Sequence, residues 1–281
     1  MLIDDLEEES INLIRSLFQN NNASDIWSFY SIGKDSSCIL RLLQKAFYPK
    51  PIPCNFLHID TGWKFKEMYE FRDKIAKTIN LYIYKHPQCL TPDQPQYTDI
   101  MKTEALKNAI DKFKIKIAIG GSRREEEKSR AKEKMISLRY NHKWNSRKQN
   151  PEISNLWNTT IPTSGSLRVF PLSNWTEINI WQYIKKENIE VVPLYFSHYR
   201  KTIIKNNQIF IDEKSNEGEY RNIRFRTLGC YPLTAAIESK VNTVDDIIKE
   251  LEESNDSERI GRLIDRDTEF SMERKKENGY F

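Results

Sequence analysis

Residues 29–43 read F-Y-S-I-G-K-D-S-S-C-I-L-R-L-L, and this stretch decides the fold. The apolar run at 26–30, IWSFY, reads as a buried strand; past Gly33 the apolar positions recur at helical spacing over 35–47. A glycine between strand and helix permits a tight turn. The first N–H groups of the helix then point outward, with the positive end of its dipole behind them, which makes the turn an anion site. Lys34 adds a point charge, Ser31, Ser36 and Ser37 add hydroxyls, and Asp35 can cap the helix or order the loop. The common nucleotide P-loop does not fit, because it needs glycine at position 28 and Ser or Thr at 35, where Ser28 and Asp35 stand.

The alternation continues outward. The spacing predicts helices over 4–20, 65–79, 98–113, 123–139 and 176–187, and strands over 54–59, 81–85, 115–119 and 167–170. Strands separated by helices of this length imply parallel βαβ units, so the expected fold is α/β: an open, mostly parallel twisted sheet with helices on both faces. Ligands in such sheets bind beyond the carboxyl ends of the strands, near the point where strand order reverses. Three polar clusters sit there: S31-I-G-K-D-S, H58-I-D-T-G and G120-G-S-R-R. Residues 141–165 lack periodicity and read as a mobile loop. Past 195 the periodicity fades into a basic, aromatic region with one helix near 234–253, which divides the chain into a nucleotide-binding domain at 1–195 and an extension at 196–281 for substrate closure or partner contact.

Composition narrows the function. The 281 residues are 38% hydrophobic, enough for an ordinary core, and 44 basic against 40 acidic residues leave a net charge of +4. The charges are interspersed, so no nucleic-acid stripe is expected. The four cysteines, Cys38, Cys54, Cys89 and Cys230, form no C-x-x-C pair, which speaks against zinc, an iron-sulfur cluster and a disulfide framework. The acidic start, MLIDDLEEES, and the absence of a long apolar window predict no export signal and no membrane span, hence a cytoplasmic location.

Each cluster has its own chemistry. Asp60, directly after a strand, suits a ribose hydroxyl or Mg²⁺, or caps the following helix; His58 reads as a packed residue. Gly120 and Gly121 admit close approach of a ligand, and Arg123 and Arg124 suit bidentate binding of phosphate or sulfate oxygens. The run E125-E-E-K-S-R-A-K reads mainly as a solvated helix face with an i,i+4 pair between Glu126 and Arg130; Lys128 and Arg130 are the two further sulfate candidates, carried by the resemblance described next. Cys230 reads as structural, since no histidine lies beside it.

The motif S31-I-G-K-D-S resembles the SGGKDS-type pyrophosphate loop of the adenine nucleotide alpha hydrolase group, with Ile32 where most relatives have glycine. Further stretches, H58-I-D-T-G-W-K-F, G120-G-S-R-R-E-E-E-K-S-R, R168-V-F-P-L-S-N-W-T-E, V192-P-L-Y, R224-F-R-T-L-G-C-Y-P-L-T and S257-E-R-I-G-R, extend the likeness over nearly the whole chain. Together they are similar to the small-subunit family of heteromeric bacterial sulfate adenylyltransferases.

The resemblance implies that ATP and sulfate give adenylyl sulfate and pyrophosphate, the first step of sulfate assimilation. It implies Mg²⁺ with the ATP and a GTPase large subunit as partner. Ser31, Gly33, Lys34, Asp35, Ser36, Asp60, Gly120 and Gly121 would bind the nucleotide, and Lys34, Arg123 and Arg124 would act in catalysis. Three rivals have distinct expectations: a phosphosulfate reductase needs a redox cysteine near its C-terminus, a tRNA-thiolating enzyme needs paired cysteines or an RNA-binding domain, and a non-catalytic nucleotide-binding regulator would bind ATP without releasing pyrophosphate.

Overall fold

A computed structural model describes residues 2–126, 128–153, 156–212 and 218–253, the side chains of 128 and 129 apart. The S257-E-R-I-G-R stretch lies outside the described residues. The first half follows the alternation read from the sequence: α1 (Ile3–Asn20), β1 (Ile26–Phe29), α2 (Lys34–Phe47), β2 (Asn55–Asp60), α3 (Lys66–Ile75), β3 (Leu81–Lys85), α4 (Ala105–Lys112) and β4 (Ile117–Ile119). A wider π-helical stretch, Asp99–Glu104, leads into α4. Next come a single helical turn α5 (Lys128–Ala131), then β5 (Ile136–Tyr140), β6 (Lys143–Trp144), β7 (Gly165–Val169) and α6 (Glu177–Glu187). Thr176 caps α6 by accepting from the Asn179 N–H.

The large sheet has the order β3-β2-β1-β4-β7-β5-β6. β1 pairs in parallel with both β2 and β4, so strand order reverses between β1 and β4. β4 and β7 are also parallel, while β5 runs antiparallel to β7. Both faces are covered. On one side Trp27, Leu57 and Ala118 pack against Leu106, Ala109 and Ile110 of α4. On the other, a larger core joins α1, α2 and α6 to Ile26, Phe56, Ile117 and Leu167.

Three expectations are corrected. The helix foreseen over 123–139 is two short turns followed by strand β5, because Ile136–Tyr140 carry β-branched and aromatic residues, and Ser137, Leu138 and Arg139 are all buried. The segment at 141–165 opens as a hairpin, not a structureless loop. Asn141 and His142 take positive φ between β5 and β6, and Gln149 bonds both the N–H and the carbonyl of Leu138.

Third, the region past 195 contains a four-stranded antiparallel sheet, β11-β10-β8-β9, built from β8 (His198–Lys205), β9 (Gln208–Ile211), β10 (Glu219–Arg224) and β11 (Ile237–Glu238). The late helix α7 is confined to Val244–Glu253. Asn206 and Asn207, both at positive φ, make the two-residue turn of the β8–β9 hairpin.

Candidate active site

The S31-I-G-K-D-S motif sits at the end of β1, and G120-G-S follows β4, so the two meet where strand order reverses. Between them opens a cleft of about 190 Å³ whose walls include Ser31, Gly33, Lys34, Asp35 and Ser36 on one side and Gly120, Gly121 and Ser122 on the other. Glu126, Arg130, Tyr195, Thr227 and Leu228 complete it. Segments from separate stretches of chain therefore converge on one end of helix α2.

The turn itself differs from the expectation. Gly33 is extended (φ −77°, ψ 166°) and serves as the N-cap of α2. The left-handed residue is Ile32 at φ +71°. A β-branched residue is strained there by about 1–2 kcal/mol. Burial of the side chain, 1% exposed in the main core, offsets the strain. The Gly33 carbonyl accepts from the Ser36 and Ser37 hydroxyls and from the Ser37 N–H, which locks the first turn. Gly121 packs so tightly on this turn that a Cβ there would lie 3.0 Å from the Asp35 Cβ.

Lys34 is 1% exposed and held on several sides. Its ammonium lies 3.4 Å from the Asp35 carboxylate and donates to the Arg226 main-chain carbonyl at 3.3 Å. Its backbone N–H donates to the Tyr195 hydroxyl at 2.9 Å, and its Nζ sits 5.8 Å from the centre of that ring. Tyr195 thus stands at the N-terminus of α2, although V192-P-L-Y offers no chemical reason to choose it.

The arginines separate. Arg123 is buried and donates through Nε to Asp35 at 2.7 Å, with Glu125 3.3 Å from its Nη1. It buttresses the loop from behind. Arg124 departs from the expectation: its guanidinium binds Glu152 at 2.7 and 2.9 Å and Asn174 at 2.6 Å, and it is not among the residues lining the cleft. Both partners lie far along the chain, so nothing in G-G-S-R-R could signal this. Arg130 does line the cleft, paired with Glu126 at 2.7 Å and with the Ser122 hydroxyl. The backbone of Lys128 belongs to α5, and its side chain lies outside the described residues.

Asp60 also lies away from the cleft walls. It accepts from the Gly62 N–H at 2.8 Å and Tyr69 at 3.1 Å, and pairs with Arg72 at 3.2 Å. Burial works against its charge, but the Gly62 bond and the neighbouring Tyr69 and Arg72 outweigh it and hold its pKa below the ordinary carboxylate value.

His58 Nδ1 lies 2.8 Å from the Tyr30 carbonyl, and burial pushes its pKa down to about 3, so it stays neutral in the core. Cys230 is 1% exposed, within 3.2 Å of the Tyr97 hydroxyl and 3.4 Å of Thr61, in a small cluster with Met101. Among the described residues no group of three or more His, Cys, Asp or Glu side chains is arranged to hold a metal. No helix among them is long and apolar enough to cross a membrane.

The chain is similar to known proteins in sequence and in fold. The model of the phosphoadenosine phosphosulfate reductase domain matches residues 25–236. The sulfate adenylyltransferase subunit 2 of Geotalea uraniireducens is 48% identical over 99% of this chain and 98% of its own length. That of Aliivibrio fischeri is 49% identical over 99% and 97%. In fold, the FMN adenylyltransferase of Candida glabrata in complex with ATP superposes with a TM-score of 0.51 over 93% of this chain and 89% of that one, at 19% identity. The chain belongs to the phosphoadenosine phosphosulfate reductase domain family and, within it, to the sulfate adenylyltransferase subunit 2 proteins.

Proposed function

We propose that this cleft transfers the adenylyl group of ATP to sulfate, releasing pyrophosphate. The observation that carries the reading is the convergence of the α2 N-terminus, Lys34, the Gly120-Gly121 turn and Arg130 on one small cleft at the sheet's switch point. A sulfate oxygen attacks the α phosphorus in line, opposite the leaving pyrophosphate. Sulfate is already a dianion and needs no base, so catalysis is positioning and charge neutralisation. The neutral, buried His58, held in the core by Tyr30, suits chemistry that asks for no imidazole base.

Ser31, Gly33, Lys34, Asp35 and Ser36 hold the leaving pyrophosphate, and Gly120 and Gly121 let the nucleotide approach the sheet. The sulfate and α phosphate fall to Arg130, with Arg123 acting through Asp35; Arg124 serves as a tether for Glu152 and Asn174. Asp60, its oxygens engaged by Gly62, Tyr69 and Arg72, orders the turn beside the ribose. Mg²⁺ fits as an ion carried on the triphosphate, since it binds through one or two carboxylates plus phosphate oxygens. Asp35 and Glu126 are the carboxylates lining the cleft, and the ion would supply charge neutralisation there.

The segment past 195 acts in closure, which Thr227 and Leu228 support by lining the cleft. The phosphosulfate anhydride is less stable than the bond consumed in ATP. A GTPase large subunit is therefore the partner that drives the step forward, and the relatives' designation as subunit 2 supports a partner. The burial of Cys230 favours this reading over a thiol-dependent reductase.

The test is sulfate-dependent pyrophosphate release from ATP by the purified chain, with and without the GTPase subunit and GTP, with adenylyl sulfate detected as product. Release that does not depend on sulfate under either condition, or thiol-dependent sulfite release from a phosphosulfate nucleotide, would overturn it.

A further inference from the structure

The two arginines of R224-F-R-T take no part in the chemistry above, yet both are buried beside the cleft. Arg224 pairs with Glu250 of α7, and Phe225 donates its N–H to the Leu194 carbonyl and packs its ring 4.8 Å from Phe65. Arg226 reaches across to α6, where its guanidinium binds the Glu177 carboxylate at 2.5 Å. The main-chain carbonyl of that same residue receives the Lys34 ammonium.

Followed further, these contacts close into a ring. The Glu177 N–H donates to Glu125 at 2.6 Å, and Glu125 meets Arg123. Arg123 binds Asp35, and Asp35 lies against Lys34. Every bond in the ring involves a charged group, and most of its members are buried, where such bonds are strong and a missing member is costly. The ring ties the second sheet, through the end of β10, to the first turn of the pyrophosphate loop.

We propose that Arg226 is a positioning residue for Lys34: anchored on Glu177, it fixes the carbonyl against which the Lys34 ammonium is set, and so sets the grip on pyrophosphate. The carbonyl belongs to the main chain and survives any side-chain change at 226. The anchor does not. Without it the 226–228 segment is released, and the Lys34 ammonium loses a fixed acceptor while Asp35 remains to draw it aside. The part of this inference that concerns pyrophosphate rests on the proposed nucleotide chemistry; the part that concerns the Lys34 side chain does not.

Two readouts on the full chain separate these parts. The first is trace acylation of lysines followed by mass spectrometry, which reports how accessible the Lys34 amine is without any ligand. Arg226→Ala should raise Lys34 labelling at least about tenfold, the scale of one lost bond to a charged group, with other lysines unchanged. Arg226→Lys, which keeps a cation for Glu177, should restore most of the protection, and Glu177→Gln should give an intermediate value. The second is calorimetric affinity for pyrophosphate against AMP. In Arg226→Ala the pyrophosphate affinity should fall by a similar factor, while AMP, which does not use Lys34, changes little.

A merely structural ion pair would lower the melting temperature and weaken both ligands alike. Lys34 labelling that stays at the wild-type level in folded Arg226→Ala, or in Glu177→Gln if the alanine variant does not fold, would overturn the proposal. A wild-type chain that binds neither pyrophosphate nor ATP would instead overturn the nucleotide reading, and the labelling would still decide the role of Arg226.

Discussion

Replacing Gly121 by alanine tests whether the two turns at the switch point are packed as closely as the chemistry requires. A Cβ at 121 would lie 3.0 Å from the Asp35 Cβ, 3.3 Å from the Asp35 carbonyl carbon and 3.4 Å from the Ser36 nitrogen. Ordinary contacts begin at about 3.4 Å, so the first turn of α2 must retreat by a few tenths of an ångström. Two of the three neighbours are backbone and cannot rotate away. Overpacking of this kind costs about 1–3 kcal/mol, which for a chain of this size lowers the melting temperature by roughly 2–5 °C.

The displaced turn also carries Lys34 and the α2 N–H groups. Losing one or two charge-assisted bonds to phosphate at about 1.5 kcal/mol each would weaken ATP binding roughly tenfold to a hundredfold. Gly33→Ala is the control for the steric argument. Its Cβ would meet Ser31 and Tyr195 at 3.4 and 3.5 Å with φ at −77°, so the added carbon fits and only the N-cap preference changes, by about 1 kcal/mol or less. Thermal melts and calorimetric ATP titrations decide the matter. Wild-type stability and affinity in Gly121→Ala, or a larger loss of stability in Gly33→Ala, would refute the close-packing argument.

Other perturbations reach different parts of the molecule. Ile32→Ala keeps the positive-φ strain and loses the buried side chain, whereas Ile32→Gly relieves the strain; both should be less stable than wild type, with alanine lower than glycine by about 1 kcal/mol in denaturant titrations. Arg130→Ala should lower sulfate-dependent turnover by about tenfold or more. Arg124→Ala, which loses its bonds to Glu152 and Asn174, should cost about 1–2 kcal/mol of stability while retaining most turnover, and loss of turnover with unchanged stability would return Arg124 to the site. Burial raises the Glu7 pKa, but hydrogen bonds from Lys186, Lys45 and Tyr183 prevail and leave it below the ordinary value of 4.5. Its stabilisation is therefore fully present above that unfolded-state value and fades as pH falls through the lower folded-state one. Denaturation midpoints measured from neutral pH down through this range should show the fade in wild type and a flatter profile in Glu7→Gln.

The first half of the fold is legible because each element announces itself locally. The run at 26–30 is apolar and aromatic, α2 is amphipathic, and the strand-turn-helix setting of S31-I-G-K-D-S puts an anion site at a strand's carboxyl end. The second sheet is not legible, since β8 sets the cationic Arg200 and Lys201 side by side and Ile203 beside Ile204, without a clean alternation. Asn206-Asn207 between apolar pairs is nonetheless a hairpin signal. Within the site, local pattern assigns to a glycine the turn that Ile32 makes. It assigns Arg124 a role that depends on where Glu152 and Asn174 return in space, which no local pattern contains. Tyr195 and Arg226 lie about 160 and 190 residues from Lys34 and meet it only through the fold.

The charged run after Gly121 illustrates why composition alone undervalues such segments. As a helix face, R123-R-E-E-E-K-S-R would be solvated and worth little, since exposed pairs contribute about 0–1 kcal/mol. Broken instead into short turns beside β4, it turns Arg123 inward to Asp35, Glu125 to the N-terminus of α6, and Glu126 with Arg130 into the cleft. Each of these buried or half-buried cations thereby rests on a carboxylate before any ligand arrives, which keeps the desolvated charges tolerable. On the proposed chemistry, an incoming polyphosphate must compete with these internal partners. Arg123 is enclosed by Asp35 and Glu125, whereas Arg130 and the buried Lys34 line the cleft; on that chemistry Arg123 is scaffold and the other two exchange a carboxylate for a phosphate or sulfate oxygen. On the same proposed chemistry, the carboxylates that stabilise the site set a threshold that favours a multiply charged anion held at several points at once.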